Sequence, residues 1–585
     1  MSEPNLLPSP PPARRRWLVL AALGLLAATL CFYGLGRNGV HELDEAWQAQ
    51  AALEMYRSSA WWHPTAFGGP FFSKQALPLW LTVVAYRVFG VTDFATRVWA
   101  ASFAVAAVLA TYLLGESLGG VAVGALAGFV LTTTYPFLYT HGARTGEFDS
   151  LMVLCFVVAT LLFVRAVRTQ RGWAWCAATA AMASNAKNLA GIIPAVVFSI
   201  SLLAVPRAKR PAKKQLLACV VVFAALNLGW VLPMAALHGR RFWTQYIGVE
   251  VLHRPFKAGS HSVQSAASLY FTTLLAGFSP WTILAIGGLL EDARKAMRRR
   301  DLGSVVVLVW VGVLALALCL GLRRANQWYL IPLFPFLAVS ASRLLLDRDE
   351  RPRWAATWRL TTAVIALAAA LIWQQRPLLH PFALWSITRP QLALTTFGRL
   401  ATLLVACSAA VLTAWWFRRA SSSQQTDGQG ARFLRTRLFT VAPVLIALGC
   451  ASLLSAARPL ALADYANAYV RAREVLKEAK GSRQGTLVVN TPQPRFDMMT
   501  RYYFGNIDGL NATFVRQGPR AALARARQLR PPVWCILTAR RGRLPDPENL
   551  PGKVLLATDE PLPGGGTRFE LAVVELDTAV RGDER

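Results

Sequence analysis

The stretch HELDEAWQAQ, residues His41–Gln50, places the carboxylates Glu42, Asp44 and Glu45 directly after an apolar segment. That segment is long enough to cross a bilayer, since a transmembrane helix needs about twenty apolar residues. Acidic side chains at the mouth of such a helix cost free energy unless they are paired, solvated or functional. The stretch therefore predicts a membrane protein and marks the first candidate site.

The composition of the chain supports a membrane protein with many spans. Of its 585 residues, 54% are hydrophobic and only 16% are charged, whereas soluble domains carry roughly 25% charged residues. The net charge of +31 could indicate a nucleic-acid partner. The basic residues instead fall in short clusters between apolar runs. Basic loops on the cytoplasmic side and anionic lipid headgroups explain such clusters, so no nucleic-acid partner is expected. The eight cysteines show no paired spacing that would predict a disulfide framework or a metal knuckle.

Counting spans and basic loops predicts about thirteen transmembrane helices with the N-terminus inside. Residues 173–205 are too long for one span, so we predict a hairpin that turns at NAKN, Asn185–Asn188. The predicted spans are residues 17–35, 93–115, 120–140, 149–168, 173–186, 188–205, 215–237, 267–289, 303–322, 328–346, 359–374, 397–417 and 436–455. The loops 36–92, 141–148 and 238–266 then share the outer face with the hairpin tip. Arg323–Arg324 is a basic pair that this count puts outside, against the rule for short loops.

The composition changes after about residue 456, where the pattern becomes that of a small α/β domain. Helices are predicted at Asp464–Lys480 and Arg520–Arg530. Buried strands are predicted at Gly485–Asn490, Pro532–Ala539 and Phe569–Leu576. We therefore expect a cytoplasmic tail (1–16), a transmembrane catalytic domain (17–455) and an extracytoplasmic α/β domain (456–585).

The first outer loop is too long to be a simple connector and is rich in tryptophan and phenylalanine, which predicts juxtamembrane helices in the interface. Asp44 and Glu45 have a structural alternative, because acids are favoured in the first turn of a helix. Asp149, in the second acidic loop ARTGEFDSLMVL, has the same alternative. Lys74 and Lys187 could be interfacial lysines whose ammonium groups reach water.

Taken together, these residues place acids and cations in one aromatic-walled outer cavity. Transfer from a phosphate-linked donor needs both kinds of group. Cations stabilise the charge that grows on the departing phosphate, while a carboxylate can take the acceptor proton or stabilise the sugar centre. A lipid-linked donor would explain why the site lies at the bilayer surface.

The order and spacing of several motifs resemble the superfamily of aminoarabinose transferases and protein O-mannosyltransferases, which are GT-C glycosyltransferases. The matching stretches are DEAWQAQAALEMYRSSAWWHPTAFGGPFFSKQALPLW, ARTGEFDSLMVL, NAKNLAGIIP, FWTQYIGVEVLHRPF, AGSHS, GFSPW and WYLIPLFPFLAV. The resemblance covers most of residues 40–345. It implies an all-α polytopic GT-C fold in a bacterial inner membrane, with the site and the C-terminal domain on the periplasmic side.

The resemblance also implies roles for single residues. Asp44, Glu45 and Asp149 are the catalytic candidates, with Asp44 as a base or acceptor-positioning group and Asp149 near the acceptor. The candidates for binding donor phosphate are Lys74, Lys187, Arg254 and Arg324. His261 corresponds to a histidine that can join a divalent metal site.

Two positions depart from the family pattern. The family's arginine three residues after the first aspartate is Trp47 here, and Arg323 or Arg324 could substitute for it. The glutamate before the family's basic residue is Ser73, which removes a carboxylate that a metal at His261 would use.

The function that these observations favour is transfer of a sugar from a polyprenyl phosphate, such as undecaprenyl phosphate, to a lipid or envelope-glycan acceptor such as lipid A. An alternative is a mannosyltransferase that uses polyprenyl-phosphate mannose and acts on protein hydroxyls. A flippase for lipid-linked sugars is the alternative from another class, but it predicts inverted repeats that the sequence lacks.

Overall fold

The computed structural model describes residues 13–37, 39–40, 44–253, 263–318, 326–346, 468–490, 497–540, 544, 550, 552–558 and 569–576. Most of these residues are helical, which confirms the predicted helical membrane protein. Five helical stretches are long and apolar enough to cross a membrane, among the residues described. The predicted spans 359–374, 397–417 and 436–455 lie outside them, so the count of about thirteen spans stays a prediction.

Helices α1 to α14 precede the C-terminal region. Their bounds are α1 Ala13–Phe32, α2 Asp44–Ser58, α3 Leu77–Phe89, α4 Asp93–Gly119, α5 Val121–Thr132, α6 Tyr135–Tyr139, α7 Asp149–Thr169, α8 Trp173–Lys187, α9 Ile192–Leu203, α10 Lys213–Phe242, α11 Val263–Gly277, α12 Thr282–Arg299, α13 Leu302–Leu316 and α14 Phe334–Leu346. Shorter helical turns cover Asn188–Gly191, Arg207–Lys209, Trp243–His253 and Gln327–Leu333. The first outer loop holds α2, α3 and a hairpin of β1 (Thr65–Ala66) with β2 (Gly69–Pro70).

Polar contacts identify one end of the bundle. Arg16, at the start of α1, pairs with Glu116 near the end of α4 at 2.9 Å. Arg168, near the end of α7, donates to the Ser117 carbonyl at 3.3 Å. We call this the basic end. The other end, which carries Asp44, is called the site end.

The chain reverses between α8 and α9. Asn188 has a positive φ of 39°, and a Cβ on Gly191 would lie 2.2 Å from the Ala180 carbonyl oxygen, so Gly191 is folded back on α8. The start of α8 and the end of α9 meet at the basic end. There the Gln170 side chain, just before α8, donates to the Lys209 carbonyl, just after α9, at 2.8 Å. The predicted hairpin is therefore present, but it turns at Asn188–Gly191, because α8 continues through most of the predicted turn to Lys187. Its tip lies about 22 Å from its base, because 15 residues rise 1.5 Å each.

The C-terminal region contains a five-stranded sheet in the order β4-β3-β5-β7-β6. Strands β3 (Gly485–Asn490), β4 (Leu510–Val515) and β5 (Val533–Arg540) are parallel, while β7 (Phe569–Leu576) pairs antiparallel with β5 and β6 (Lys553–Thr558). Its helices are α15 Ala468–Lys480, α16 Asp497–Phe504 and α17 Pro519–Arg527. A small α/β domain is therefore confirmed, although its predicted boundary at residue 456 lies outside the described residues.

The α/β domain packs directly on the first outer loop. The Tyr503 hydroxyl accepts a hydrogen bond from the Val40 amide, and Asn506 donates to the Gln50 side chain at 2.8 Å. Buried residues of the two regions, among them Leu53 and Tyr502, belong to one hydrophobic core. The domain thus holds α2, the helix that begins at Asp44.

A buried ion pair joins the elements of the site end. The Arg97 guanidinium of α4 donates to both carboxylate oxygens of Glu45, at 2.6 and 2.9 Å, and also to the Leu35 and Gly39 carbonyls. The Gly146 amide donates to the same carboxylate at 2.6 Å. Glu45 is 0% exposed and Arg97 is 1% exposed. Helices α2 and α4 and the loop before α7 are therefore tied at one carboxylate.

Arg97→Leu is expected to lower the free energy of unfolding by about 3–5 kcal/mol, because it leaves the Glu45 carboxylate buried without its cation. The matched control is Arg16→Leu, which removes a half-exposed partner of Glu116 and should cost about 0–1 kcal/mol. Unfolding of the purified protein in detergent measures both. Equal losses for the two variants would contradict the buried pair as the anchor of the site end.

Candidate functional site

The structure brings Asp44, Lys74, Asp149 and Lys187 into one cluster at the site end. Asp44 begins α2 and Asp149 begins α7. Lys74 lies between the β1–β2 hairpin and α3, and Lys187 ends α8 at the hairpin tip. Four separate parts of the chain therefore converge, which is the arrangement expected for a site rather than for isolated helix caps.

Asp149 and Lys187 form a direct ion pair. The Lys187 ammonium donates to Asp149 Oδ1, and its nitrogen lies 5.4 Å from the centre of the Tyr329 ring. The Asp149 side chain is 3% exposed, whereas Lys187 is 29% exposed. Burial and an opposite charge keep the pair together. Lys187 is thus engaged by an acid, and its predicted role in binding donor phosphate stays a prediction.

His141 and Glu147 complete the acidic side of the cluster. His141 Nδ1 lies 3.7 Å from Glu147 Oε1 and 3.6 Å from Asp149 Oδ2. Burial lowers the pKa of His141, but the neighbouring Glu147 and Asp149 carboxylates outweigh it and raise the pKa above its ordinary value. Burial raises the pKa of Glu147. Sequence reasoning did not identify His141, because a single histidine in a short loop has no periodic or spacing signal.

Lys74 is the cation of the cluster that no side chain neutralises directly. It makes no hydrogen bond or ion pair with any residue that the structure describes. Burial lowers its pKa, partly opposed by the nearby Asp44 carboxylate. A desolvated ammonium without a close counter-ion favours the binding of an anion.

Asp44 and Glu45 occupy the first turn of α2, as the structural alternative predicted. Their surroundings differ. Glu45 is fully buried and hydrogen-bonded to Arg97 and Gly146. These contacts give it a positioning role. Its catalytic role stays a prediction. Asp44 is partly exposed and lies within electrostatic range of Lys74 and Lys187.

The segment around Lys74 is held by neutral contacts. Asn188, at the hairpin turn, donates to the Ser73 carbonyl at 2.9 Å, and Gln75 donates to Asn227 and to the Tyr246 hydroxyl at 3.2 Å each. Trp47, at the position where the family has arginine, packs edge-on against Phe71 with ring centres 5.0 Å apart. Position 47 therefore contributes to the apolar core here and supplies no cation.

Three predicted site residues, Arg254, Arg324 and His261, lie outside the described residues, as does Arg323. No group of three or more histidine, cysteine, aspartate or glutamate side chains suits a metal among the residues described. Ser73, which stands in place of the family carboxylate, offers no anionic ligand. The described residues do not fit a metal.

Comparisons with known proteins find relatives of this chain. Residues 73–231 match the dolichyl-phosphate-mannose-protein mannosyltransferase family. The undecaprenyl phosphate-alpha-4-amino-4-deoxy-L-arabinose arabinosyl transferase 1 of Proteus mirabilis is 23% identical over 349 residues, which are 58% of this chain and 61% of that protein. An uncharacterized protein of Aquifex aeolicus is 24% identical over 320 residues, 54% of this chain and 62% of that protein.

The fold is that of a solved transferase. ArnT from Cupriavidus metallidurans bound to undecaprenyl phosphate superposes with a TM-score of 0.65, covering 98% of this chain and 100% of that one at 16% identity. The chain therefore has the GT-C fold and is a multi-pass membrane protein, which confirms the predicted fold class and resemblance. It spans about six tenths of the length of the curated relatives it matches.

Binding of a phosphate anion at the site end is expected to weaken as the pH rises through the lowered pKa of Lys74. The ammonium is charged below that pKa and attracts the phosphate there, and the attraction is lost above it. Lys74→Arg should keep its affinity between about pH 7 and pH 10, because a guanidinium stays charged. A binding titration in detergent measures this, with Lys209→Arg as the control at the basic end. Parallel pH curves for the wild type and Lys74→Arg would contradict the assignment of Lys74.

Proposed function

We propose that this chain is an integral membrane glycosyltransferase that moves a sugar from a polyprenyl phosphate to a lipid or envelope-glycan acceptor such as lipid A. The observation that carries the proposal is the position of Lys74, an ammonium that has no close counter-ion among the described residues and lies beside three buried or half-buried carboxylates. The cation can bind a phosphate leaving group, and a neighbouring carboxylate can act on the acceptor. The Proteus mirabilis relative, whose name specifies undecaprenyl phosphate and a sugar, supports the same class of donor.

On the donor side, Lys74 binds the phosphate that links the lipid to the sugar. As the bond between the anomeric carbon and the phosphate oxygen breaks, its electron pair stays on that oxygen. The ammonium then meets a greater negative charge than in the bound donor, so it stabilises the transition state more than the ground state. Lys187 contributes to the positive potential while it remains paired with Asp149.

On the acceptor side, the oxygen of the acceptor attacks the anomeric carbon. If that oxygen is a hydroxyl, its proton passes to a carboxylate, and Asp44 is the acid that is partly exposed and close to Lys74. If the acceptor is a phosphate, as in lipid A, the attacking oxygen is already anionic and Asp44 only positions it. The products are the glycosylated acceptor and free polyprenyl phosphate.

The orientation of the chain is part of the proposal. We assign the site end and the α/β domain (456–585) to the periplasmic face of a bacterial inner membrane, and residues 1–16 and the basic end to the cytoplasm. The arginines at the basic end, such as Arg16 and Arg168, follow the bias of short cytoplasmic loops toward basic residues. The transmembrane catalytic domain is then residues 17–455.

A second candidate is transfer of mannose to protein hydroxyls. The match of residues 73–231 to the protein mannosyltransferase family favours it. Mass spectrometry of envelope lipids and envelope proteins, from cells with and without the gene for this chain, separates the two. One missing glycosyl mass on lipid supports the first function, and one on protein supports the second. No missing glycosyl mass would contradict both.

Asp44→Asn should reduce transfer by about 10² to 10⁴-fold if the acceptor is a hydroxyl, because the variant cannot take its proton. The matched control is Asp508→Asn, an exposed aspartate of the α/β domain, which should transfer at the wild-type rate. The assay uses purified protein with a lipid-linked sugar and detects the glycosylated acceptor. Sugar flipping that persists in Asp44→Asn together with no transfer by the wild type would favour a flippase and overturn the proposal.

A further inference from the structure

The loop that carries His141 is built to hold one conformation. His141 has a positive φ of 58°, and a Cβ on Gly142 would lie 1.8 Å from the Phe137 carbonyl oxygen, so only glycine fits after it. The Ala143 amide donates to that carbonyl at 2.8 Å. Arg144 donates to the Leu30 and Cys31 carbonyls of α1. A left-handed conformation at a residue other than glycine is costly and persists only where the surroundings impose it.

The imidazole is held on its other side by an aromatic ring. His141 stacks on Trp328 with ring centres 3.9 Å apart and an angle of 10°. The next residue, Tyr329, lies beneath the Lys187 ammonium. Two consecutive aromatic residues therefore contact the two cationic partners of Asp149. An aromatic face stabilises a cation, so this contact favours the protonated form of His141.

The carboxylates beside His141 need a proton or a cation between them. Glu147 and Asp149 are 2% and 3% exposed, and both face His141 Nδ1. Glu147 Oε2 is buried and has no hydrogen-bond partner within the described part of the chain. Two buried carboxylates at one site repel each other unless a positive group lies between them. Lys187 contacts the Oδ1 side of Asp149, and among the described residues His141 is the cationic group that faces Oδ2 and Glu147.

We propose that His141 is a positioning residue of the site: its imidazolium, stacked on Trp328, bridges Glu147 and Asp149 and fixes both carboxylates beside Lys74. The charged and titratable groups around it come from three elements, namely Glu147 of its own loop, Asp149 of α7 and Lys187 of α8. The two acids outweigh the one lysine, which favours the imidazolium over the neutral imidazole. Deprotonation at higher pH releases the carboxylates. The bridge itself does not depend on the proposed function, whereas its part in the transfer reaction does.

Histidine NMR tests the bridge without any substrate. The chain has seven histidines, so protein labelled only at histidine gives few signals, and His141→Gln assigns the one that matters. His141 should titrate at a higher pH than a free histidine, whose pKa is about 6.5. Asp149→Asn and Trp328→Leu should each move the His141 midpoint to lower pH, whereas Trp328→Phe should largely preserve it. A His141 midpoint at or below that of a free histidine would overturn the proposal.

The pH profile of transfer tests the role in the reaction. In the wild type, kcat/KM should fall on the alkaline side with the midpoint that NMR assigns to His141. His141→Gln should lower kcat/KM by about 10²-fold and lose that alkaline limb, while His63→Gln keeps both rate and profile. An unchanged alkaline limb in His141→Gln would contradict the role of His141. If no transfer is found in any variant while the NMR midpoints are as expected, the proposed function fails and the bridge stands.

Discussion

The site end depends on the buried carboxylate of Glu45. It accepts two hydrogen bonds from Arg97 and one from the Gly146 amide, so it fixes α2 against α4 and against the loop that leads to Asp149. Gly146 has no space for a side chain, because a Cβ would meet Thr96 at 2.9 Å and Glu45 at 3.1 Å. Since Asp44 precedes Glu45, and Glu147 follows Gly146, this one contact determines how closely the two acidic segments approach each other.

The remaining groups of the site follow from that approach. The hairpin tip brings Lys187 to Asp149, and the loop conformation at His141 brings a second cation to the opposite oxygen. These contacts occupy Asp149 from both sides. Lys74 is left without a close counter-ion among the residues described, which is why its ammonium, and not that of Lys187, is assigned to the donor phosphate.

The sequence predicted the elements that bury long apolar runs and missed those that do not. In the C-terminal sheet, the three predicted strands correspond to β3, β5 and β7, which are the central strands. The missed strands β4 and β6 are the two edges, where fewer residues are buried and the apolar pattern is weaker. The hairpin was predictable because 33 residues are too long for one span and basic loops flank it on both sides, although its turn lies at Asn188–Gly191 and not at Asn185–Asn188.

The site was only partly predictable for a different reason. Four site residues are charges beside apolar segments and can be recognised as candidates from the sequence. They are Asp44, Lys74, Asp149 and Lys187. The distinct surroundings of Asp44 and Glu45 depend on Arg97, which is 52 residues further along the chain and carries no sequence signal for this pairing. His141 is defined by its contacts with Trp328, Glu147 and Asp149, two of which come from its own loop or the helix that follows. Contacts of this kind require the fold.

The most direct measurement of the central claim is an experimental structure of this chain with undecaprenyl phosphate bound. The account predicts that the phosphate lies within hydrogen-bond distance of the Lys74 ammonium at the site end, with the Asp149–Lys187 pair intact and Asp44 beside the donor. A phosphate held by Lys187 after its release from Asp149, or bound at the basic end, would contradict the account.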